Sequence, residues 1–177
     1  GGGDCGAANE IIKYAEVERV DLVEIDQLVV ESCIKYLPHI SGSTPYDSRV
    51  HFIFKDGMQF VQENKDFYDV AIIDSSDPVG PAEILFSEEF YLNVKNCLKK
   101  DGLMVCQSQS PIFHSQILQR SHSILKKYFP QVRTYQAVVP SYPGGMWSFT
   151  LASLKYDPFK ADVGRLAQNT RYINKKI

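Results

Sequence analysis

Short apolar, β-branched runs alternate with segments of helical periodicity along most of this 177-residue chain. Alternation of this kind favours βαβ units, in which helices join parallel strands and cover the sheet. The run YDVAIID is almost entirely apolar before its last residue, which is typical of a strand buried on both faces of a parallel sheet. The strands predicted in this way are Val20–Glu24, Val50–Phe54, Tyr68–Asp74 and Leu103–Gln107.

The intervening segments carry apolar residues at three- and four-residue spacing, which predicts helices. The last of these segments is closed by Pro130, a residue that cannot continue a helix. The predicted helices are Ala7–Tyr14, Leu28–Leu37, Met58–Glu63, Glu88–Leu98 and Ser115–Tyr128.

The pattern changes after Pro130. Two strand-like runs, Val132–Val139 and Trp147–Ser153, are joined by PSYPGG with no room for a helix, so they should pair antiparallel. A doubly wound, mostly parallel sheet with a C-terminal antiparallel hairpin is the architecture of the class I methyltransferase-like fold, a Rossmann-like α/β fold. The tail after Tyr156 is polar and predicted to be helical at most.

Composition excludes several classes of function. The hydrophobic fraction of 44% and the charged fraction of 23% are those of one ordinary globular domain. The formal net charge of −2, without any basic block, argues against a nucleic-acid partner. No apolar run approaches the roughly 18 residues of a membrane span. We therefore expect a cytoplasmic protein without a membrane partner.

Cysteine and histidine spacing gives no sign of a metal site. Cys5, Cys33, Cys97 and Cys106 lie far apart without a C-x-x-C pair, so buried, reduced thiols are expected for most of them. The four histidines show no ligand spacing either, and we interpret them as surface or hydrogen-bonded core residues. No metal is predicted.

A glycine-rich loop, residues 1–6 (GGGDCG), leads directly into the first predicted helix. Glycines allow a ligand to approach the backbone, although a plain tight turn would look the same. Asp4 would repel a phosphate, so a nucleoside that carries a cationic group fits this loop better than a dinucleotide does. Glu24 ends the next predicted strand about 20 residues on, where a carboxylate can accept hydrogen bonds from both ribose hydroxyls.

Carboxylates also follow the next two predicted strands. Asp56, before Gly57, could accept a hydrogen bond from an adenine amino group, but it could equally be a helix N-cap. Asp74 and Asp77 stand in the segment DSSDPVGP at the carboxyl end of the apolar strand, where open α/β sheets bind ligands. A turn before Pro78 would explain Asp77 but not Asp74.

Two further polar residues are candidates for the same rim. Tyr142 lies in the hairpin connection, where its phenol could reach over the carboxyl ends of the strands, although a lone loop tyrosine is usually a packing residue. Gln107 ends the following predicted strand.

Five segments together carry a specific resemblance: GGGDCG, VEID, KDG, DSSDPVGPAEILFSEEFY and PSYPGGMWSFTLAS. Over nearly its whole length the chain resembles the spermidine synthase family of aminopropyltransferases. The resemblance implies transfer of the aminopropyl group of decarboxylated S-adenosylmethionine to putrescine, which gives spermidine and 5′-methylthioadenosine. The nucleoside is a co-substrate, and no permanently bound cofactor is implied.

The resemblance also implies residue roles. For the diamine, Asp74 would be the acid-base residue, Tyr142 would assist it, and Asp77 would hold the far ammonium, while Gln107 would contribute through water. Asp4 would lie near the aminopropyl end of the nucleoside and would complete the substrate contacts. For the nucleoside, Glu24 would hold the ribose, Pro81 the adenine face, and Asp56 with Gly57 the adenine edge. The implied nucleoside-binding set is Gly2, Gly3, Asp4, Glu24, Asp56, Gly57 and Pro81.

Two departures from the family pattern stand out. Family members commonly show GGGDGG where this chain has Cys5. The family also has an N-terminal β-rich domain, so residues 1–177 correspond to a nucleoside-binding catalytic domain truncated at both ends. We expect these residues alone to be weakly active or inactive, and the whole protein to be a homodimer or homotetramer.

Three alternatives stay open on sequence grounds. An S-adenosylmethionine-dependent amine N-methyltransferase would share the fold, the glycine loop and the ribose carboxylate, but would not need Asp4 or the paired acids. A non-catalytic nucleoside-binding domain would need none of Asp74, Asp77 and Tyr142. An aminopropyltransferase with another acceptor, such as cadaverine, agmatine or spermidine, would keep them all.

Overall fold

The structure is a computed structural model, and it describes residues 1–162. These residues form two compact units. The β1–β2 unit consists of residues 2–55 with the described residues from Phe159 onward, and the four-stranded unit consists of Gly1 with residues 56–158. We describe each unit by itself.

The predicted helices and strands occur in the predicted order. Helices are α1 (Gly6–Ile11), α2 (Gln27–Tyr36), α3 (Pro38–Ser41), α4 (Gly57–Glu63), α5 (Glu88–Cys97) and α6 (Ser115–Tyr128). Of these, α3 is a short helix that was not predicted. Strands are β1 (Val20–Glu24), β2 (Val50–Phe54), β3 (Tyr68–Ile73), β4 (Leu98–Gln107), β5 (Gln131–Val138) and β6 (Met146–Ser153). Short 3-10 turns occupy Thr44–Tyr46, Gly80–Phe86 and Pro158–Lys160. Most of the tail predicted to be helical at most, from residue 163 on, lies outside the described residues.

In the β1–β2 unit the two strands pair in parallel, from Val20 opposite Val50 to Glu24 opposite Phe54. The connection between them contains α2 and α3, as a parallel crossover requires. Asp26 begins α2 by accepting a hydrogen bond from the Leu28 amide at 2.9 Å. A small core of Cys5, Ala8, Leu22 and Val30 holds α1 and α2 against β1.

A single arginine ties the loops of the β1–β2 unit together. The Arg49 guanidinium donates to the carbonyls of Ile12, Tyr14 and Val17 at 2.6 to 3.0 Å. The same guanidinium forms two hydrogen bonds to the Asp47 carboxylate, at 3.0 and 2.8 Å. Arg49 therefore anchors the segment between α1 and β1 to the start of β2.

We expect Arg49→Met to lower the thermal unfolding midpoint at pH 7 by several degrees, because three carbonyls and a carboxylate lose their donor. Hydrogen bonds from Arg49 lower the pKa of Asp47 to about 2. The carboxyl pKa in the unfolded chain is about 3.9, so the lower pKa in the folded state adds to the free energy of unfolding at pH values above about 4. This stabilisation is lost as the pH falls from about 4 to about 2. The variant should therefore lose less stability over that pH range than the wild type. Thermal melts of the full-length protein at several pH values would measure both effects.

The matched control is Arg120→Met, which alters an exposed arginine on α6. It should leave the midpoint and its pH dependence unchanged. Equal thermal unfolding midpoints for the Arg49 and Arg120 variants would contradict the anchoring role of Arg49.

The four-stranded unit has the strand order β3-β4-β6-β5. β3 and β4 are parallel, whereas β6 pairs antiparallel with both β4 and β5. The predicted antiparallel hairpin is confirmed by its register, from Gln131 opposite Ser153 to Val138 opposite Met146. Its second strand, β6, lies inside the sheet, and β5 forms the edge.

Two predicted element ends were wrong by three residues or more. The first helix was expected to run to Tyr14, but α1 ends at Ile11. Leu98 was expected to end a helix, but it begins β4, where it pairs with Tyr68 of β3. Its apolar side chain satisfies both a helical and a strand pattern, so periodicity alone could not separate the two. The backbone hydrogen bonds with β3 decide in favour of the strand.

The expectation that β3 is buried on both faces was also wrong for the described residues. Ala71 and Ile73 pack against the main core, but Val70 and Ile72 remain 49% and 44% exposed. Side chains alternate between the two faces of a strand, and helices of this unit cover only the face that carries Ala71 and Ile73. The main core on that face includes Phe90, Tyr91, Val94, Met104, Leu125 and Phe129.

The cysteines are all free, and three of the four are buried, as predicted for most of them. Burial raises the pKa of Cys5 and of Cys97 to about 11, with the nearby Asp4 charge adding to the effect at Cys5. Burial also raises the pKa of Cys106. Cys33, on α2, is only partly buried.

Candidate active site at the carboxyl ends of β3 and β4

A cavity of about 210 Å³ opens at the carboxyl ends of β3 and β4 in the four-stranded unit. It contains the four residues predicted to contact a diamine in this part of the chain. The residues that line it are Asp74, Ser75, Ser76, Asp77, Gln107, Tyr142, Pro143 and Trp147.

The strand register brings two of these residues to the same rim. Ile73 of β3 is opposite Cys106 of β4. Asp74 follows Ile73 in the chain, and Gln107 follows Cys106. Parallel strands end at the same edge of a sheet, so side chains distant in sequence converge there. Gly1 lies against the backbone carbonyl of Asp74, so close that a Cβ atom at this position would collide with it.

The connection between β5 and β6 brings Tyr142 to the cavity. The Tyr142 ring lies edge-on to Trp147, with 4.5 Å between the ring centroids. Gly144 and Gly145 have φ values of 74° and 68°, a left-handed conformation that favours glycine. A side chain at Gly144 would also meet the Phe113 ring, since a Cβ atom there would lie 2.9 Å away. The PGG sequence thus fixes the turn that presents the phenol.

Buried amides hold the segment after β3 in place. Gln107 Nε2 donates to the Ser75 carbonyl at 3.2 Å, and Gln107 Oε1 accepts from the Gln109 backbone amide at 3.0 Å. The Gln109 side chain in turn donates from Nε2 to Asp77 Oδ1 at 2.8 Å. Asp74 and Asp77 themselves remain exposed at the rim of the cavity.

The β1–β2 unit holds the other predicted group, the glycine loop and Glu24. A Cβ atom on Gly3 would lie 2.7 Å from Val29 and 3.2 Å from Glu24 Oε2, so any other residue here would have to displace one of these side chains. Glu24 Oε1 accepts from the backbone amides of Ile25 and Asp26 at 2.9 and 3.2 Å. Backbone amides therefore orient the carboxylate beside the loop. Gly2 has a φ of 139°.

Asp4 and Cys5 lead from this loop into α1. Asp4 Oδ1 accepts from the Gly6 amide at 2.9 Å. Cys5 adopts a φ of 65°, the left-handed conformation in which glycine is favoured, and it is fully buried. The Cys5 carbonyl accepts from Thr44 Oγ1 at 3.3 Å. Cys5 therefore places a buried side chain in a backbone conformation that favours glycine.

Asp56, Gly57 and Pro81 all belong to the four-stranded unit. Asp56 is the N-cap of α4, since its Oδ1 accepts from the Met58 and Gln59 amides at 2.7 and 3.3 Å. A Cβ atom on Gly57 would be 3.8 Å from Leu85, in the same 3-10 turn as Pro81. The N-cap alternative for Asp56 is therefore confirmed, and its contact with adenine stays a prediction.

The family model for the spermine/spermidine synthase domain matches residues 1–161. The chain belongs to the spermine/spermidine synthase family. Similar curated proteins are polyamine aminopropyltransferases, for example that of Caldicellulosiruptor bescii, at 47% identity over all of this chain and 64% of the relative. Another, from Moorella thermoacetica, is 49% identical over 92% of this chain and 57% of its own length.

Solved structures of spermidine synthases show the same fold. One, in complex with the transition state analogue AdoDATO, has a TM-score of 0.94 and 36% identity, covering 99% of this chain and 61% of that one. The spermidine synthase of Thermotoga maritima has a TM-score of 0.92 and 35% identity, covering all of this chain and 61% of that one. The methyltransferase-like fold class is thereby confirmed. The chain spans less than two thirds of the length of these family members.

Two residues near the candidate site were not predicted from the sequence. Trp147 was assigned only to a strand, although an aromatic residue two positions after a PGG turn is a signal for packing against the turn. Gln109 gave no signal, because it follows the end of β4 and reaches Asp77 only through a left-handed backbone conformation.

Within residues 1–162 no helix is long and apolar enough to cross a membrane. The same residues contain no group of three or more histidine, cysteine or acidic side chains that could hold a metal ion. Three of the histidines are exposed, and His122 lies 3.1 Å from the Thr134 hydroxyl.

Proposed function

We propose that the whole protein is a spermidine synthase, which transfers the aminopropyl group of decarboxylated S-adenosylmethionine to putrescine. The observation that carries this proposal is the joint presence of Asp74, Asp77, Gln107 and Tyr142 in one cavity at the carboxyl ends of β3 and β4. Two carboxylates with no cationic side chain among the cavity residues suit a ligand with two positive charges.

The two carboxylates have different tasks in this proposal. Both amines of putrescine are protonated near pH 7, because alkyl ammonium pKa values lie around 10. One ammonium must be held and the other must lose its proton before it can attack. Asp77 holds the far ammonium, and Asp74 accepts the proton of the attacking one, with the Tyr142 phenol assisting. Gln107 completes the pocket at the rim.

The reaction is a displacement at a carbon bonded to a sulfonium. The neutral amine nitrogen forms a bond to this carbon, and the carbon–sulfur bond breaks. Its electron pair goes to sulfur, which becomes the neutral thioether of 5′-methylthioadenosine. The sulfonium is already a good leaving group, so orientation of the two substrates supplies much of the rate. The proton removed from the amine leaves through Asp74.

The proposal also assigns the contacts of the nucleoside. Glu24, oriented by two backbone amides beside Gly3, accepts from the ribose hydroxyls. Asp56 and Gly57 meet the adenine edge, Pro81 meets its face, and Gly2 allows close backbone approach. Asp4 lies near the aminopropyl end, where its charge disfavours the carboxylate of intact S-adenosylmethionine.

We also propose that the protein works in the cytoplasm as a homodimer or homotetramer, without metal and without a permanently bound cofactor. The similarity to bacterial polyamine aminopropyltransferases supports this proposal.

Product analysis by mass spectrometry tests the function directly. The full-length protein receives putrescine with decarboxylated or, separately, intact S-adenosylmethionine. We expect spermidine and 5′-methylthioadenosine from the first mixture and no product from the second. Methylated putrescine and S-adenosylhomocysteine from the second mixture would overturn the proposal in favour of an amine methyltransferase. A product with cadaverine, agmatine or spermidine, but none with putrescine, would overturn the acceptor assignment alone.

A further inference from the structure

We infer that Gln109 is a positioning residue for Asp77, and that its neutral amide matches the acceptor site to a doubly charged diamine. This inference rests on the proposed function of Asp77 as the holder of the far ammonium. Gln109 does not line the cavity, so its effect on a substrate passes through Asp77.

The contact between the two side chains is short and shielded. Gln109 Nε2 donates to Asp77 Oδ1 at 2.8 Å, and Gln109 is only 1% exposed. Within residues 1–162 no group donates to the other carboxylate oxygen of Asp77. The amide therefore fixes one oxygen and leaves the second for an ammonium group.

Gln109 is itself held from several directions. Its carbonyl accepts from the Ser148 amide at 3.0 Å and from the Ser148 hydroxyl at 2.6 Å. Its backbone amide donates to Gln107 Oε1 at 3.0 Å. These bonds hold a residue whose φ is 70°, a left-handed conformation that a long side chain adopts rarely. A strained conformation persists only where its surroundings over-determine it, so the side chain is aimed at Asp77 with little freedom.

The chemistry of an amide explains why it suits this position. An amide donates a hydrogen bond to a carboxylate at every pH, whereas a carboxyl group could donate only while protonated. The titratable side chains that line the cavity are Asp74, Asp77 and Tyr142, and Ser148 on the β6 side is not titratable. A neutral Gln109 thus keeps two carboxylates at the site, one for each charge of a diamine.

The first test is Gln109→Asn in the full-length protein. Asparagine tolerates the left-handed conformation better than most residues, but it is one methylene too short to reach Asp77. We expect the KM for putrescine to rise about tenfold, in line with loss of a hydrogen bond to a charged group, with kcat changed less than about threefold. The KM for decarboxylated S-adenosylmethionine should not change. The matched control is Gln119→Asn, at an exposed position on α6, which should leave all three values unchanged.

The second test is Gln109→Glu. The measured quantity is the ratio of the putrescine KM of the variant to that of the wild type, from pH 5.5 to pH 9. The new carboxyl would share the site with Asp77, and a neighbouring like charge raises a carboxyl pKa above its ordinary value of about 4.3. At low pH the protonated carboxyl can still donate to Asp77, so the ratio should be near one. As the pH rises the group ionises and the donor is lost, so the ratio should increase severalfold. A residue with a purely structural role would give a ratio that does not change with pH.

Three results would overturn the inference: an unchanged putrescine KM in Gln109→Asn, an equal rise in both substrate KM values, or a KM ratio in Gln109→Glu that does not change with pH. If the wild type transfers no aminopropyl group, the proposed function fails separately. In that case, calorimetric titration of putrescine into the wild type and into Gln109→Asn would test the role of Gln109 without the reaction. Tenfold weaker binding by the variant would support the role of Gln109, and equal binding or none by both would overturn it.

Discussion

Asp74→Asn should lower kcat for aminopropyl transfer by about 10²- to 10⁴-fold, the usual loss when a general base is removed. The amide has nearly the shape of the carboxylate but cannot accept the proton of the attacking ammonium. Asp74 sits at the end of β3 on an accessible rim, so the substitution should not disturb the core. Steady-state kinetics with putrescine would give kcat, and calorimetry with 5′-methylthioadenosine would show nucleoside binding within about twofold of the wild type.

Asp69→Asn is the control for this effect. Asp69 belongs to the same strand, its side chain is 74% exposed, and it pairs with Lys99 at 2.8 Å outside the cavity. The control variant should keep full activity. An Asp74→Asn variant with a kcat within a factor of ten of the wild type would assign the proton transfer elsewhere.

Asp77→Asn should raise the putrescine KM by about 10- to 100-fold, because it removes a charge-assisted hydrogen bond to the far ammonium. Unlike Asp74→Asn, it should leave kcat at saturating diamine within about tenfold of the wild type. Steady-state kinetics over a wide range of putrescine concentrations would separate the two constants. The opposite result, with unchanged diamine affinity here and lost affinity in Asp74→Asn, would reverse the two roles.

A diamine analogue provides an independent check on this assignment. A monoamine such as butylamine has no far ammonium, so it should be a poor acceptor for the wild type. Asp77→Asn should affect butylamine far less than putrescine. Equal losses with both acceptors would indicate that Asp77 supports the structure of the loop rather than the ammonium.

The sequence predicted elements well where two signals agreed. α6 matches the prediction from Ser115 to Tyr128, because its apolar periodicity ended at a proline-containing stop. β1 and β2 also match, since short β-branched runs between helical segments leave few alternatives. The start of β4 was missed because Leu98 fits both the helical and the strand periodicity. Only its pairing with Tyr68, 30 residues away in sequence, shows that it belongs to a strand.

In the candidate site, too, local signals could be predicted from the sequence and contacts between distant residues could not. Asp74, Asp77, Gln107 and Tyr142 could be proposed because strand ends and turn motifs are local features of sequence. Their convergence on one cavity depends on strand register and on the hairpin that returns along β4. The contact between Gln109 and Asp77 spans 32 residues and a left-handed turn, and no local pattern encodes it.

The uneven burial of the four cysteines of residues 1–177 favours labelling at a single one of them. Maleimide dyes react with thiolates, and burial keeps Cys5, Cys97 and Cys106 protonated and out of reach. Cys33 is the partly exposed thiol, on the helix that begins three residues after Glu24. A fluorophore attached there would lie on a helix of the same unit as the proposed ribose carboxylate, and a change in its emission on adding 5′-methylthioadenosine would report nucleoside binding.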